Sequence, residues 1–314
     1  MSFWKILFPA ANQAADNYTY DEIGNPAEDK QDNIRIEWTV YGKVKTVTKT
    51  DGSRTIDYLY DASGNRTVKA VQTRNATTGA VTVTSTYYVR DAQGNVLSVY
   101  DNNNTDRALR QSELHLYGSS RLGLFKPSGN RPAVSTNGIY TRRLGRKEYE
   151  LADHLGNVRA VVGDYRESDG ANPVRAALRS YFNHYAFGLE MPGMVWKGGG
   201  YRYGFNGKEQ DADFASNYDY GFRIYNPGVG RFLSVDPLAA SFPWNSVYAF
   251  AEGSPVANID LDGLEKQDYK FTFFKNGRSQ LETSWSNGLR INPKATPRQY
   301  RSGHKPTRRH TRRL

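Results

Sequence analysis

One short pattern constrains this chain more than any other: Asp-x-x-Gly-Asn occurs at residues 21–25, 61–65, 91–95 and 153–157. The aspartate accepts hydrogen bonds from backbone N–H groups further on and so opens a type I turn. The glycine, with asparagine beside it, takes the positive-φ position that closes a bulged hairpin. Each copy therefore predicts a hairpin tip. The flanks agree, because apolar residues recur every second position: Ile56, Tyr58 and Tyr60 before the second tip, Leu97 and Val99 after the third, and Val158, Ala160 and Val162 after the fourth. The tips are 40, 30 and 62 residues apart, so the repeat is irregular, unlike a propeller of constant period.

Loop-like stretches rich in Asn, Gly and Pro fill 101–105, 126–132 and 169–173. Helical signals are scarce. Two short helices are expected, at 174–179 and at 243–252, the second framed by Pro243 and Gly253. Residues 202–222 place tyrosines and phenylalanines on both sides of a polar segment. Such rows suit packing across strands, each pair adding roughly 0.2–1 kcal/mol over alanine; the other reading is a sugar-stacking surface around Tyr218 and Tyr220.

The net charge of +10 is unevenly placed. Residues 265–314 carry 13 Lys/Arg against 3 Asp/Glu, and the first 264 residues carry 29 of each sign. Nucleic-acid attraction can therefore belong only to the tail, where Arg308, Arg309, Arg312 and Arg313 are the candidates. There is no cysteine, so disulfides and thiolate metal sites are excluded. The opening apolar run is too short for a signal-peptide core or a membrane span. That leaves export without such a signal, or a chain that begins part-way through a longer ancestral protein.

The Tyr-Asp-x-x-Gly-Asn repeats at Tyr20 and Tyr60, residues 153–159 (DHLGNVR), 202–209 (RYGFNGKE) and 225–237 (YNPGVGRFLSVDP) together resemble the RHS/YD-repeat proteins, and more closely the RHS repeat-associated core domain. The likeness covers about residues 18–264. It implies a hollow β shell built from YD hairpins around a variable C-terminal segment, often a toxin. It also implies an aspartyl-type self-cleavage after the last leucine of a Pro-x-x-x-x-Asp-Pro-x-Gly-Leu motif. Here that motif falls on Pro255, Asp260, Leu261, Asp262, Gly263 and Leu264, with leucine in place of the motif's proline. Asn226 stands where the family often has aspartate, and asparagine serves equally at a turn start.

Peptide hydrolysis by carboxylates needs one ionised partner to draw a proton from water and one protonated partner to donate. Two aspartates sharing a site achieve this because both cannot ionise at close range. Asp236 and Asp260 are the expected pair, with Asp262 as alternative and Arg231 as the cation that holds a carboxylate or polarises a carbonyl. The scissile bond would be Leu264–Glu265, Gly263 admitting the chain to a tight site. Each aspartate also suits an ordinary turn.

In the tail, strands are expected at 269–274 and 280–285 around an Asn-Gly turn at 275–278. The stretch from Lys294 onward has no apolar face with which to fold alone. His115, His154 and His184 have no second ligand at metal-binding spacing, and no cofactor motif is present. The expected architecture is all-β: a curved antiparallel sheet of irregular YD hairpins with few short helices. It divides into a leader (1–17), a YD-repeat shell segment (18–217), a core or plug ending in DLDGL (218–264) and a variable basic tail (265–314). The leading functional expectation is a toxin-delivery core that encloses and, by self-cleavage, frees its own tail in interbacterial competition. Its expected partners are that tail as cargo, an upstream shell portion or second copy, and an immunity protein; its expected place is secreted or at the cell surface. The other expectations are a non-catalytic adhesion or carbohydrate-binding module and a truncated remnant.

Overall fold

In the computed structural model all four Asp-x-x-Gly-Asn segments close hairpins in one way. In the second copy, Gly64 N donates to the Asp61 carbonyl at 3.0 Å, Asn65 N to Asp61 Oδ1 at 2.9 Å, and Asp61 N back to the Asn65 carbonyl at 2.9 Å. The four glycines lie at φ between 75° and 93°, where a side chain is strained. The structure describes residues 14, 16–102, 108–127, 144–168, 174–264, 266–273, 279–286 and 310–313, the last three segments by their backbone alone.

Among the described residues, fourteen strands follow one another. The first seven are Tyr18–Tyr20 (β1), Pro26–Asp29 (β2), Ile34–Trp38 (β3), Val44–Lys49 (β4), Arg54–Tyr60 (β5), Arg66–Arg74 (β6) and Val81–Arg90 (β7). The next seven are Val96–Asn102 (β8), Leu109–Tyr117 (β9), Arg121–Phe125 (β10), Lys147–Ala152 (β11), Val158–Glu167 (β12), Arg175–Tyr181 (β13) and Trp196–Lys197 (β14). Each pairs antiparallel with its chain neighbour, and β1 does not meet β14, so the sheet is an open meander. The register slips by one residue beside each Asp-x-x-Gly-Asn tip, which is the bulge that the glycine predicts. Two four-stranded sheets follow: Glu209–Asp211 (β15), Asn217–Asp219 (β16), Ile224–Asn226 (β17) and Arg231–Phe232 (β18), then Asn258–Asp260 (β19), Lys266–Phe273 (β20), Ser279–Ser286 (β21) and His310–Arg313 (β22).

Strand alternation decides which face is covered. Ile34, Ile36, Val44, Val47, Ile56 and Tyr58 point to one face and bury against Phe214 and Leu233 from the later chain. Leu124, Val158 and Val161 do the same against Phe182, Tyr201 and Tyr203. Leu59, Val89, Leu122 and Leu151 point to the other face and stay exposed. The segment after β14 is thus a plug laid on one side of a wall. Its own centre is aromatic: Phe205, Tyr218, Tyr220, Tyr225, Phe232 and Phe250 pack together, with Tyr225 and Phe250 ring centroids 4.2 Å apart. Tyr218 and Tyr220 are buried in that cluster, so they offer no stacking surface to a sugar.

Neither expected helix forms, and no α-helix occurs among the described residues. Residues 175–181 are β13, because pairing with β12 satisfies their backbone and buries Ala177 completely. Residues 243–252 run through turns into one 3₁₀ turn, Ala251–Gly253, whose Ala251 and Glu252 have positive φ that no α-helix allows. The two tail strands form as β20 and β21, while the turn at 275–278 lies outside the described residues. The basic end, expected to lack structure of its own, contributes β22 as a strand added to β21.

Candidate active site

The site is organised by a residue that spacing did not single out, Arg223. It follows the tight turn between β16 and β17 and is 3% exposed. Its guanidinium reaches Asp236 Oδ2 at 3.0 Å and Asp260 Oδ2 at 3.9 Å, and donates to the Val247 carbonyl at 3.2 Å and to the Gly263 carbonyl. The Phe232 ring lies 3.8 Å from the guanidinium carbon. Burial pulls the Arg223 pKa down while the charges of Asp236, Asp260 and Asp262 oppose that pull. The available signal was an arginine inside an apolar, aromatic run (Phe222, Ile224, Tyr225), where a charge requires a buried partner.

Asp236 and Asp260 therefore meet across one cation. Asp260 ends β19, is 4% exposed, and accepts a hydrogen bond from Gly263 N at 2.7 Å. Burial pushes its carboxyl up to about 7, the Asp262 charge adding to the rise and Arg223, the Gly263 N–H and Lys208 working against it. Asp236 accepts from Leu238 N at 2.7 Å, and its own N–H donates to the Val247 carbonyl at 3.0 Å. Both aspartates thus also serve the local turns that their sequence settings indicate.

Asp262 is exposed, and its carbonyl accepts from Phe222 N at 2.9 Å. Leu261, in the place of the motif's proline, presents its carbonyl to Lys208 Nζ. Gly263 has φ +87°, and a Cβ there would lie 2.9 Å from Arg223 N, so only glycine fits beside the arginine. Pro255 is buried, and Leu264 is half-buried. Arg231 sits elsewhere: on β18 it is exposed beside Tyr18, Tyr20 and Phe232, with no ion pair among the described residues. The cation expected of Arg231 is supplied by Arg223. Glu265, Arg308 and Arg309 lie outside the described residues, and Arg312 and Arg313 are on β22 opposite Leu281 and Gln280. Asn226 Oδ1 accepts from Gly228 N at 2.8 Å and Val229 N at 3.2 Å, the turn role expected of it.

Wall and plug are also joined by a buried ionic seam. Arg66 on β6, 2% exposed, lies 2.8 Å from Glu209, 3.5 Å from Asp211 and 3.3 Å from Asp219. Lys69 pairs with Asp211 at 2.5 Å and Asp213 at 2.8 Å. Arg202 of the plug joins Glu209 at 2.8 Å to Glu113 of β9 at 2.5 Å, and Arg121 meets Glu150 at 2.8 Å. Tyr58 and Tyr88 donate to Asp211 and Glu209. No group of His, Asp and Glu side chains suited to a metal ion occurs among the described residues. No helix there is long and apolar enough to cross a membrane.

An open YD-hairpin meander bearing a plug on one face is an RHS-like fold. It is shared with the TcdB2-TccC3-Cdc42 and TcdB2-TccC3 structures, at TM-scores of 0.57 and 0.56 and 19% identity, over 78% of this chain and 11% of theirs. In sequence the chain is similar to Salivary gland surface protein 1 of Aedes aegypti, 29% identical over 259 residues, or 78% of this chain and 6% of that protein. It is also similar to toxin subunits YenC1 and YenC2 of Yersinia entomophaga, 42% identical over 62 residues and 38% over 65 residues. The chain spans about 6% of the length of each of these curated relatives. No family model matches it.

Proposed function

We propose that this chain is the closing portion of an RHS-type toxin-delivery shell, and that its plug cuts the chain once, between Leu264 and Glu265, freeing the basic tail. The observation that carries this reading is the Asp236–Arg223–Asp260 bridge, buried at Gly263, one residue before the expected scissile peptide. Asp260, pushed up to about 7, holds a proton that it can give near neutral pH. Asp236 takes a proton from water; the water oxygen bonds to the Leu264 carbonyl carbon, the bond to the Glu265 nitrogen breaks, and that nitrogen leaves with the proton from Asp260. Arg223 fixes both carboxylates and grips the Gly263 carbonyl, which holds the turn in place.

In this reading the tail is cargo, and the rest of the shell comes from further sequence or a second copy. The similarity to toxin subunits supports a toxin-related role. Competition between bacteria, secretion or surface display, an immunity partner and nucleic-acid contact by the tail belong to the proposal. A sugar-binding role finds no support in the buried Tyr218 and Tyr220. The test is denaturing electrophoresis with mass spectrometry of the expressed chain. A fragment beginning at Glu265, lost in Asp236→Asn, Asp260→Asn and Arg223→Met, is expected; an intact chain from well-folded protein overturns the reading.

A further inference from the structure

The turn that carries the candidate site is gripped from outside the plug by a wall lysine. Lys43 precedes β4, and its backbone is fixed by Thr39: Lys43 N donates to Thr39 Oγ1 at 3.1 Å, and Thr39 N to the Lys43 carbonyl at 2.8 Å. Its Nζ donates to the Gly221 carbonyl at 2.5 Å, 178 residues away in sequence, and lies 4.7 Å from the Phe222 ring centroid. The next link is backbone: Phe222 N donates to the Asp262 carbonyl at 2.9 Å, and Arg223 follows directly. Lys43 thus holds the 221–223 turn, and that turn holds both the cleavage loop and the arginine that bridges the aspartates.

The second YD tip makes room for this contact. A Cβ on Gly64 would lie 3.2 Å from Lys43 Cε, so the glycine that closes the hairpin also lets the lysine stem pass. The charged groups facing the ammonium are Asp219 and Asp262 of the plug and Asp61 of the tip, and they support its charge against the burial that lowers its pKa. An ammonium so placed loses most of its water and gains directional hold on a single carbonyl.

We propose that Lys43 is a positioning residue through which the folded wall licenses cleavage, so that the plug cuts only after β3 and β4 have docked on the 221–223 turn. This rests on the self-cleavage reading. The experiment follows fragment release over time from freshly refolded full chain, in wild type, Lys43→Met and Lys43→Arg, with urea unfolding and the pH profile of cleavage measured in parallel. Lys43→Met should slow cleavage about tenfold to a hundredfold, as expected for a small misplacement of reacting groups. It should keep the wild-type shape of the pH profile, since Asp260 is unchanged. Lys43→Arg, which can still donate to Gly221, should recover most of the rate. Wild type that cuts while Lys43→Met cuts equally fast overturns this inference alone. So does a slowing in Lys43→Met that Lys43→Arg matches, or that tracks lost stability. Wild type that does not cut removes the self-cleavage reading and this inference with it.

Discussion

Replacing Arg66 by methionine tests whether the plug is held on the wall by charge as well as by apolar packing. Methionine preserves an unbranched apolar stem between Tyr58 and Tyr88, whose rings lie 5.6 and 4.9 Å from the guanidinium carbon. What it removes is the cation shared by Glu209, Asp211 and Asp219. Glu209 keeps Arg202, and Asp211 keeps Lys69. Asp219 keeps the Gly221 N–H, at 2.8 Å, and the nearby charges of Lys43 and Lys208, with no direct ion pair to either among the described residues. Breaking a buried pair in this way costs about 3–5 kcal/mol, and the surviving partners place this site near the lower end, at about 3 kcal/mol. For a unit of this size that is a fall in Tm of roughly 6–12 °C.

The pH dependence has a definite sign. Burial raises the Glu209 pKa, but Arg66 and then Arg202 outweigh it and bring the value below the ordinary glutamate range. A depressed carboxyl contributes stability above its unfolded pKa, and that stability is lost as pH falls through the folded value. Without Arg66 less of this stability exists to be lost, so wild type and variant should converge as pH is lowered from about 7 to about 2, the change coming below about 4. Thermal and urea unfolding at both pH values measure the gap, and Arg66→Met with Asp219→Asn should recover part of it. A gap below about 1 kcal/mol, or one equal at both pH values, would refute the idea that this seam is a major contributor.

Three other outcomes follow from the geometry. If Asp260 is the proton donor, cleavage should fall about tenfold per pH unit above its value of about 7 as the carboxyl ionises; a rate that rises through that range contradicts the assignment. Gly263→Ala should abolish fragment release, because its Cβ would press against Arg223 N at 2.9 Å, and release at the normal rate would show that the turn is looser than described. Gly123→Ala should prevent stable folding of the wall, since its Cβ would lie 1.9 Å from the Glu148 carbonyl oxygen across β10 and β11; near-native unfolding by urea would count against that register.

The wall was legible in sequence because its determinants are local. Asp61, Gly64 and Asn65 specify their turn by bonds among themselves, and the alternation around Ile56 and Tyr58 specifies the buried face, so neither needs knowledge of distant residues. The two expected helices misled for the complementary reason. Ala177 and Leu178 suit a helix in isolation, and only the neighbouring β12 decides for a strand. In the site, Asp236 and Asp260 could be named because they stand in the segments that carry the family resemblance, whereas Arg223 and Lys43 act by reaching across the fold. Lys43 touches Gly221 from 178 residues away, and a charge balanced at that range leaves no spacing to read. What does remain in the sequence is its setting: Arg223 lies in an aromatic run, and its charge has to be answered somewhere. A cation in such a run is therefore a better pointer to a buried site than an arginine chosen, like Arg231, for its nearness to an aspartate.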